Sequence, residues 1–122
     1  MGGNMKEVLV IEDNLVNSYM IESILNRKGY TVIQTTSAGR GIELAAKGML
    51  ELIIIDIHIA DIDGLEAVRR INLLVPWIPL IALTSHAMTN ERDRALSAGC
   101  TACIEKPIDS DTFAEQLERY LY

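Results

Sequence analysis

The sequence lacks the features that mark membrane, secreted and nucleic-acid-binding proteins. No apolar run approaches the roughly 18–20 residues that cross a bilayer, and no charged-then-apolar signal segment opens the chain. The formal net charge is −6 and the sequence pI is about 4.8, a balance that disfavours binding along a phosphate backbone. We therefore expect no direct nucleic-acid partner, no membrane insertion and, by default, a cytoplasmic location.

Cysteine and histidine are also scarce. The two cysteines, Cys100 and Cys103, have the C-x-x-C spacing of a redox pair. Such a pair usually opens a helix, whose dipole lowers a thiol pKa, whereas this one follows a predicted helix end at Gly99 and enters a short apolar strand. Zinc would need more ligands, and His58 and His86 are the only histidines. The spacing therefore favours two small core side chains.

What the chain does contain is enough apolar sequence for one packed domain. Its 122 residues are 49 % hydrophobic, which suits a single core without disulfides or a structural metal. We expect residues 1–5 to be a leader or a remnant of cloning and residues 6–122 to form the domain.

Apolar runs and helical patterns alternate five times along the chain. The predicted strands are 8–11, 30–34, 52–55, 80–83 and 101–104. The predicted helices are 15–28, 37–48, one that begins at Asp63 and includes Ile71, 90–98 and one that begins at Asp109. Ser37 and Asp109 are predicted caps, and Asp63 with Glu66 resembles a capping box. Three of the predicted helices carry apolar side chains that are expected to face the core. They are Val16, Met20, Ile24 and Leu25 of the first helix, Leu65, Val68 and Ile71 of the third, and Phe113, Leu117 and Leu121 of the last.

The predicted strands are continuously apolar, which is typical of strands covered on both faces and hence of a parallel sheet. A closed eight-fold barrel would need about twice this length. The pattern therefore predicts an α/β fold: an open, doubly wound, five-stranded parallel sheet with strand order 2-1-3-4-5.

Residues suited to metal or phosphoryl chemistry follow four of the five predicted strands, whereas Gln34, Thr35 and Thr36 after the second strand offer no charge. Glu12 and Asp13 follow the first strand, Asp56 the third, Thr84 ends the fourth and Lys106 follows the fifth. Ligands of doubly wound sheets bind beyond the carboxyl ends of the strands, where the strand order reverses. With the first and third strands as neighbours, these five side chains are expected to converge.

The chemistry of these side chains favours a phosphoryl site with a magnesium ion. Three carboxylates repel one another unless a cation shares them, and Mg²⁺ takes a few carboxylates and keeps several waters. Asp56 has the chemistry of a nucleophile that forms an aspartyl phosphate, with Lys106 and Thr84 as partners of the phosphoryl oxygens. Taken singly, Asp13 or Asn14 is equally well a helix cap and Lys106 solvated surface; together the five favour function.

In this order and spacing, five segments resemble the receiver domain of response regulators, from Lys6 to Tyr120. The segments are Val10-Ile11-Glu12-Asp13-Asn14, Ile55-Asp56-Ile57, Asp63-Gly64, Ala82-Leu83-Thr84-Ser85 and Lys106-Pro107. The resemblance implies a flavodoxin-like receiver fold. It also implies a two-component signalling domain rather than an enzyme, one that catalyses its own phosphorylation and dephosphorylation.

The resemblance assigns a role to each residue of the site. It implies that Asp56 is the phosphoacceptor, that Asp13 binds Mg²⁺ directly and Glu12 through water, and that the backbone carbonyl of His58 is a further metal ligand. Thr84 is implied as the switch residue and Lys106 as the phosphate-binding residue, with a cis Lys106–Pro107 bond.

The implied partners are a histidine kinase or histidine phosphotransfer protein as donor and a downstream protein. The downstream partner is expected on the fourth helix, fifth strand and fifth helix, roughly residues 88–104 and 109–120. The residues do not distinguish a stand-alone regulator from a receiver that belongs to a hybrid kinase.

The sequence departs from the family at four positions. Cys103 stands where receivers usually have Tyr or Phe, which leaves the aromatic switch without its side chain. Ala60 replaces a frequent proline, which predicts a less constrained loop after Asp56. His58 and His86 lie two residues after Asp56 and Thr84, at positions that tune phosphoryl lifetime in the family.

Three other functions compete with this interpretation. An aspartate-dependent phosphatase would be expected to carry a second Asp where His58 stands. A flavin-binding module would need a phosphate cradle after the first strand, where Glu12, Asp13 and Asn14 would repel a phosphate. A receiver that serves only for docking would not need the five site residues.

Overall fold

Five parallel strands alternate with five helices in residues 6–85 and 90–121, the part of the chain that this computed structural model describes. The strands are β1 Lys6–Ile11, β2 Tyr30–Thr35, β3 Leu50–Asp56, β4 Leu80–Thr84 and β5 Ala102–Glu105. The helices are α1 Leu15–Arg27, α2 Ala38–Lys47, α3 Gly64–Leu74, α4 Glu91–Ala98 and α5 Ser110–Glu118. The predicted leader at residues 1–5, His86 and the start of the predicted output surface at Met88 lie outside the described residues.

The strand order is β2-β1-β3-β4-β5, as predicted. Backbone hydrogen bonds continue just past the carboxyl ends of the strands, from Glu12 N to Thr35 O (3.0 Å), and from Lys106 N to Thr84 O (2.8 Å). Ile57 N likewise donates to Leu83 O over 3.1 Å. These bonds bring the residues that follow β1, β3 and β5 to one edge of the sheet.

The core has two layers because the sheet is covered on both faces. Successive strand residues point to opposite faces, so Leu9 and Ile55 pack with α2, α3 and α4 while Val10 and Ile54 pack with α1 and α5. Phe113 of α5, the only phenylalanine, is 1 % exposed in the second layer. Burial on both faces explains why the strands are apolar at every position.

The inward faces of the helices follow the prediction with one exception. Leu65, Val68 and Ile71 of α3, and Phe113 and Leu117 of α5, are buried as predicted, and Leu121 packs against the core beyond the end of α5. Met20 of α1 also packs against the core, and Ile24 and Leu25 are buried.

The prediction that Val16 faces inward is wrong. Val16 is 69 % exposed, as are its neighbours Leu15 and Tyr19 at 70 % each. Val16 precedes the buried Leu25 by nine residues, which is about two and a half helical turns and places the two side chains on opposite sides. The buried side of α1 is instead formed by Ser18, Ile21, Ile24 and Leu25.

Ser37 and Asp63 cap their helices as predicted, but the capping box forms only in part. Ser37 accepts from Arg40 N at the start of α2, and Asp63 accepts from Leu65 N at the start of α3. The reciprocal half is wrong, because the Glu66 carboxylate pairs with two arginines of its own helix instead, Arg69 (3.4 Å) and Arg70 (3.1 Å). Asp109 holds the N-cap position of α5 as predicted, but its side chain makes no cap hydrogen bond with the backbone; its carboxylate accepts from the Thr112 hydroxyl over 2.6 Å.

Candidate functional site

An acidic cluster lies at the carboxyl ends of β1 and β3. One carboxylate oxygen from each of Glu12, Asp13 and Asp56 lies within 4.8 Å of the others. Glu12 and Asp56 are 1 % and 2 % exposed, whereas Asp13 faces solvent. Two buried carboxylates beside an exposed one, all presenting oxygen, match the ligand chemistry of Mg²⁺.

The start of α1 holds Glu12 in place. Asn14 N donates to Glu12 Oε2 over 3.2 Å, and Asn17 Nδ2 donates to Oε1 over 3.3 Å. Asn14 also caps the helix, since its Oδ1 accepts from Asn17 N at 3.0 Å. Asn14 is therefore the cap of α1, and the Asp13 carboxylate belongs to the acidic cluster.

Burial raises the pKa of Glu12 to about 7, and its hydrogen bond with Asp56 and the Asp56 charge add to the rise. Since the two side chains share this hydrogen bond, a protonated Glu12 would donate to an ionised Asp56.

Asp56 is surrounded by hydrogen-bond donors. Lys106 Nζ donates to Asp56 Oδ2 over 2.7 Å, and the backbone N–H of His58 donates to Oδ1 over 2.9 Å. Burial by itself raises the pKa of Asp56, but the hydrogen bonds from Glu12 and Lys106 outweigh burial and the pKa is lowered. The carboxylate therefore stays ionised, as a nucleophile must. The Lys106–Pro107 bond is cis, as the resemblance implied.

A carboxylate that was not singled out in the sequence joins two of the expected site residues. Thr84 is fully buried, and its hydroxyl donates to Oε1 of Glu91, the first residue of α4. The same oxygen lies 3.0 Å from Nε2 of His58. Glu91 follows Thr84 by seven residues, and the one available signal was an acid in the first turn of a helix, which is ordinary there.

Asp61 fixes the loop between β3 and α3. Its carboxylate accepts from Ala38 N (2.8 Å), Gly39 N (3.1 Å) and the Ser37 hydroxyl (3.0 Å) at the start of α2. The backbone hydrogen bonds from Ala38 and Gly39 lower the pKa of Asp61. The loop thus has a tertiary anchor one residue after Ala60, where the sequence lacks the frequent proline.

Both cysteines are free thiols in the core, as predicted. Cys100 is 7 % exposed and Cys103 6 %. Burial raises the pKa of the Cys100 thiol to about 12, with a smaller contribution from Cys103, the opposite of what a reactive thiol needs.

Comparison with known families identifies the family and the fold of this chain. Residues 8–118 match the response regulator receiver domain. This chain belongs to that family. The sequence is also similar to the polar-differentiation response regulator DivK of Brucella ovis, with 33 % identity over 118 residues that cover 95 % of this chain and 96 % of DivK.

Two solved receiver structures are similar to this one. The receiver domain of the sensor histidine kinase PA1611 from Pseudomonas aeruginosa has a TM-score of 0.86 and 29 % identity, covers 96 % of this chain and 98 % of that one, and holds a magnesium ion in its active-site cleft. A response regulator from Burkholderia pseudomallei with a phosphorylated aspartic acid and a calcium ion has a TM-score of 0.80 and 26 % identity, with coverages of 93 % and 71 %.

The chain is thus a receiver domain of a two-component signalling system, with the CheY-like flavodoxin fold. In residues 6–85 and 90–121, no helix has the length and apolarity to cross a bilayer.

Proposed function

We propose that Asp56 is the phosphoacceptor of this receiver domain and takes a phosphoryl group in a Mg²⁺-dependent reaction. The observation that carries the proposal is the 2.7 Å contact between Lys106 Nζ and Asp56 Oδ2 inside the acidic cluster. A buried, ionised carboxylate that faces both a lysine and a place for a cation is suited to attack phosphorus. The donor is the phosphohistidine of a histidine kinase or a histidine phosphotransfer protein.

The transfer needs no reactant besides the phosphohistidine donor and a proton from water. An Asp56 carboxylate oxygen attacks phosphorus, an O–P bond forms, and the N–P bond of the donor breaks as its imidazole leaves and takes up that proton. Lys106 balances charge on the phosphoryl oxygens, and the Thr84 hydroxyl donates to one of them. Mg²⁺, when bound, supplies positive charge that offsets both the repulsion of the carboxylates and the phosphoryl charge.

The proposed metal ligands are those that the resemblance implied. Asp13 and Asp56 bind the ion directly, Glu12 binds through water, and the backbone carbonyl of His58 completes the protein ligands. The support is the 4.8 Å cluster of carboxylate oxygens and the fixed position of the His58 backbone, whose N–H is held by Asp56.

The proposed output surface consists of α4, β5 and α5. A downstream protein would recognise this surface after phosphorylation, and residues 6–122 would act as one unit, in the cytoplasm. The domain would catalyse its own phosphorylation and dephosphorylation without turnover of another substrate.

The test is phosphorylation by a small phosphodonor such as acetyl phosphate, followed by intact-protein mass spectrometry. The wild type should gain the mass of one phosphoryl group with Mg²⁺ and little with EDTA. Asp56→Asn should gain none, whereas Asp111→Asn, an exposed acid on α5, should behave as wild type. Equal labelling of Asp56→Asn and wild type would overturn the assignment.

A further inference from the structure

The side chain of Glu91, the first residue of α4, contacts residues at two neighbouring strand ends of the site. Its carboxylate is 16 % exposed and receives the Thr84 hydroxyl from the end of β4. It also lies 3.0 Å from the His58 ring, on the loop after β3. The backbone of His58 in turn donates to Asp56. One carboxylate therefore links the first turn of α4 to both sides of the proposed phosphorylation site.

The Thr84 hydroxyl cannot serve two acceptors at once. A hydroxyl group has a single proton to donate, and in this structure Glu91 accepts it. In the proposed phosphorylated state the same proton goes to a phosphoryl oxygen on Asp56. Phosphorylation must therefore exchange one acceptor for another, and the exchange breaks the hydrogen bond between Thr84 and Glu91.

We propose that Glu91 is a positioning residue that holds the Thr84 hydroxyl in the unphosphorylated state and passes its release to α4. The inference rests on the proposed function of Asp56 and deepens it. Glu91 acts through Thr84. Because the hydrogen bond between Thr84 and Glu91 must break before Thr84 can donate to the phosphoryl group, this hydrogen bond opposes phosphorylation. Loss of that contact removes a hydrogen bond between the first turn of α4 and the end of β4.

This link supplies a route to α4 that needs no aromatic side chain on β5. Cys103, at the usual aromatic position, is 6 % exposed and packs in the core layer beneath α3 and α4. Its small side chain fills a core position instead of swinging between two places. Glu91 stands on α4 itself, so the motion of Thr84 reaches the helix directly.

The first experiment measures the rate of phosphorylation by subsaturating acetyl phosphate with Mg²⁺. Glu91→Ala should be phosphorylated about tenfold faster than wild type, a factor that equals about 1.4 kcal/mol. Glu91→Gln, which keeps an acceptor oxygen but loses the charge, should lie between the two. Asp93→Asn is the matched control, because it removes another acid from the first turn of α4; it should stay within about twofold of wild type.

If Glu91 acts by holding Thr84, the effect of Glu91→Ala on the phosphorylation rate must depend on the Thr84 hydroxyl. A general loss of negative charge or of helix stability would act without it. In a Thr84→Ala background there is no hydroxyl to release, so Glu91→Ala should change the rate less than about twofold, and the double-mutant cycle should show coupling. An equal acceleration with and without the Thr84 hydroxyl would overturn the inference.

Methyl NMR of Thr84 gives a readout that needs no phosphate transfer. In unphosphorylated Glu91→Ala the Thr84 methyl resonance should move toward its position in wild type with the phosphoryl mimic beryllofluoride, whereas in Asp93→Asn it should stay in place. A wild type that accepts no phosphate would refute the proposed function. A wild type that is phosphorylated, with Glu91→Ala indistinguishable from Asp93→Asn in rate and spectrum, would refute the role of Glu91 alone.

Discussion

Gly64, the first residue of α3, packs directly on the backbone of Ile57, the residue after Asp56. A Cβ atom at Gly64 would lie 2.0 Å from the Ile57 carbonyl oxygen and 2.4 Å from its carbonyl carbon. Such a clash involves backbone that cannot move without displacing the end of β3. The missing side chain of Gly64 therefore lets α3 begin against the strand that carries the proposed phosphoacceptor.

The first prediction concerns this contact. Gly64→Ala should lower the free energy of unfolding by about 2 kcal/mol or more, since overpacking against fixed atoms costs about 1–3 kcal/mol. Gly39→Ala is the control, because its Cβ would meet only ordinary contacts, the nearest at 3.6 Å. Denaturant unfolding measures the stability of both variants. Equal midpoints for the two would show that the close contact at Gly64 does not affect stability.

The second prediction concerns the acidic cluster. A cation that binds only the folded state stabilises it by RT ln(1 + [L]/Kd), about 1.4 kcal/mol at ten times Kd. Millimolar Mg²⁺ should raise the melting temperature of wild type more than that of Asp13→Ala, and Asp111→Ala should respond as wild type. If Asp13→Ala gained as much as wild type, Asp13 would not be a ligand.

The third prediction concerns Asp61 and pH. The lowered pKa of Asp61 in the folded state means that its carboxylate stabilises the fold above its ordinary value of 3.8. This contribution is lost as the pH falls below that value through the lowered folded-state pKa. At neutral pH, Asp61→Ala should cost about 0.5–2 kcal/mol, the usual effect of losing a helix cap.

The difference in stability between wild type and Asp61→Ala should therefore shrink as the solution is acidified below pH 4. Denaturant unfolding at several pH values measures it, with Asp111→Ala as a control acid on the surface. A stability difference that stays constant down to pH 2 would mean that the charge of Asp61 does not contribute to folding and that Asp61→Ala acts only through lost packing.

The fourth prediction concerns the transmission of phosphorylation. Hydrogen exchange with and without beryllofluoride should change in α4 and β5, Glu91–Glu105, as well as beside Asp56, with a coupling of about 1–3 kcal/mol. Because Cys103 acts as a core side chain, Cys103→Ala should keep this response. Changes limited to the loops around Asp56 would favour a passive phosphate relay without a conformational switch.

The sequence alone was enough to predict the fold and the convergence of Glu12, Asp13, Asp56 and Lys106. Both depend on local patterns: continuous apolar strands, helical spacing, and caps such as Ser37 mark the elements, and parallel strands place their carboxyl ends at one edge. Glu12 and Asp56 had to meet once β1 and β3 were neighbours, and Lys106 reached Asp56 from the end of β5. The catalytic and metal roles of these residues stay predictions.

Only the tertiary structure decided which side chains support the site. Asn17 reaches Glu12, Asp61 caps α2 from another loop, and Glu91 receives Thr84. Each is a polar residue in a place where polar residues are common, so no local pattern marks it. The prediction for Val16 was wrong because Val16 lies nine residues before Leu25, about two and a half turns, and so on the opposite side of α1. Contacts between separate elements depend on the distances and directions that packing sets, and the order of residues along the chain does not contain them directly.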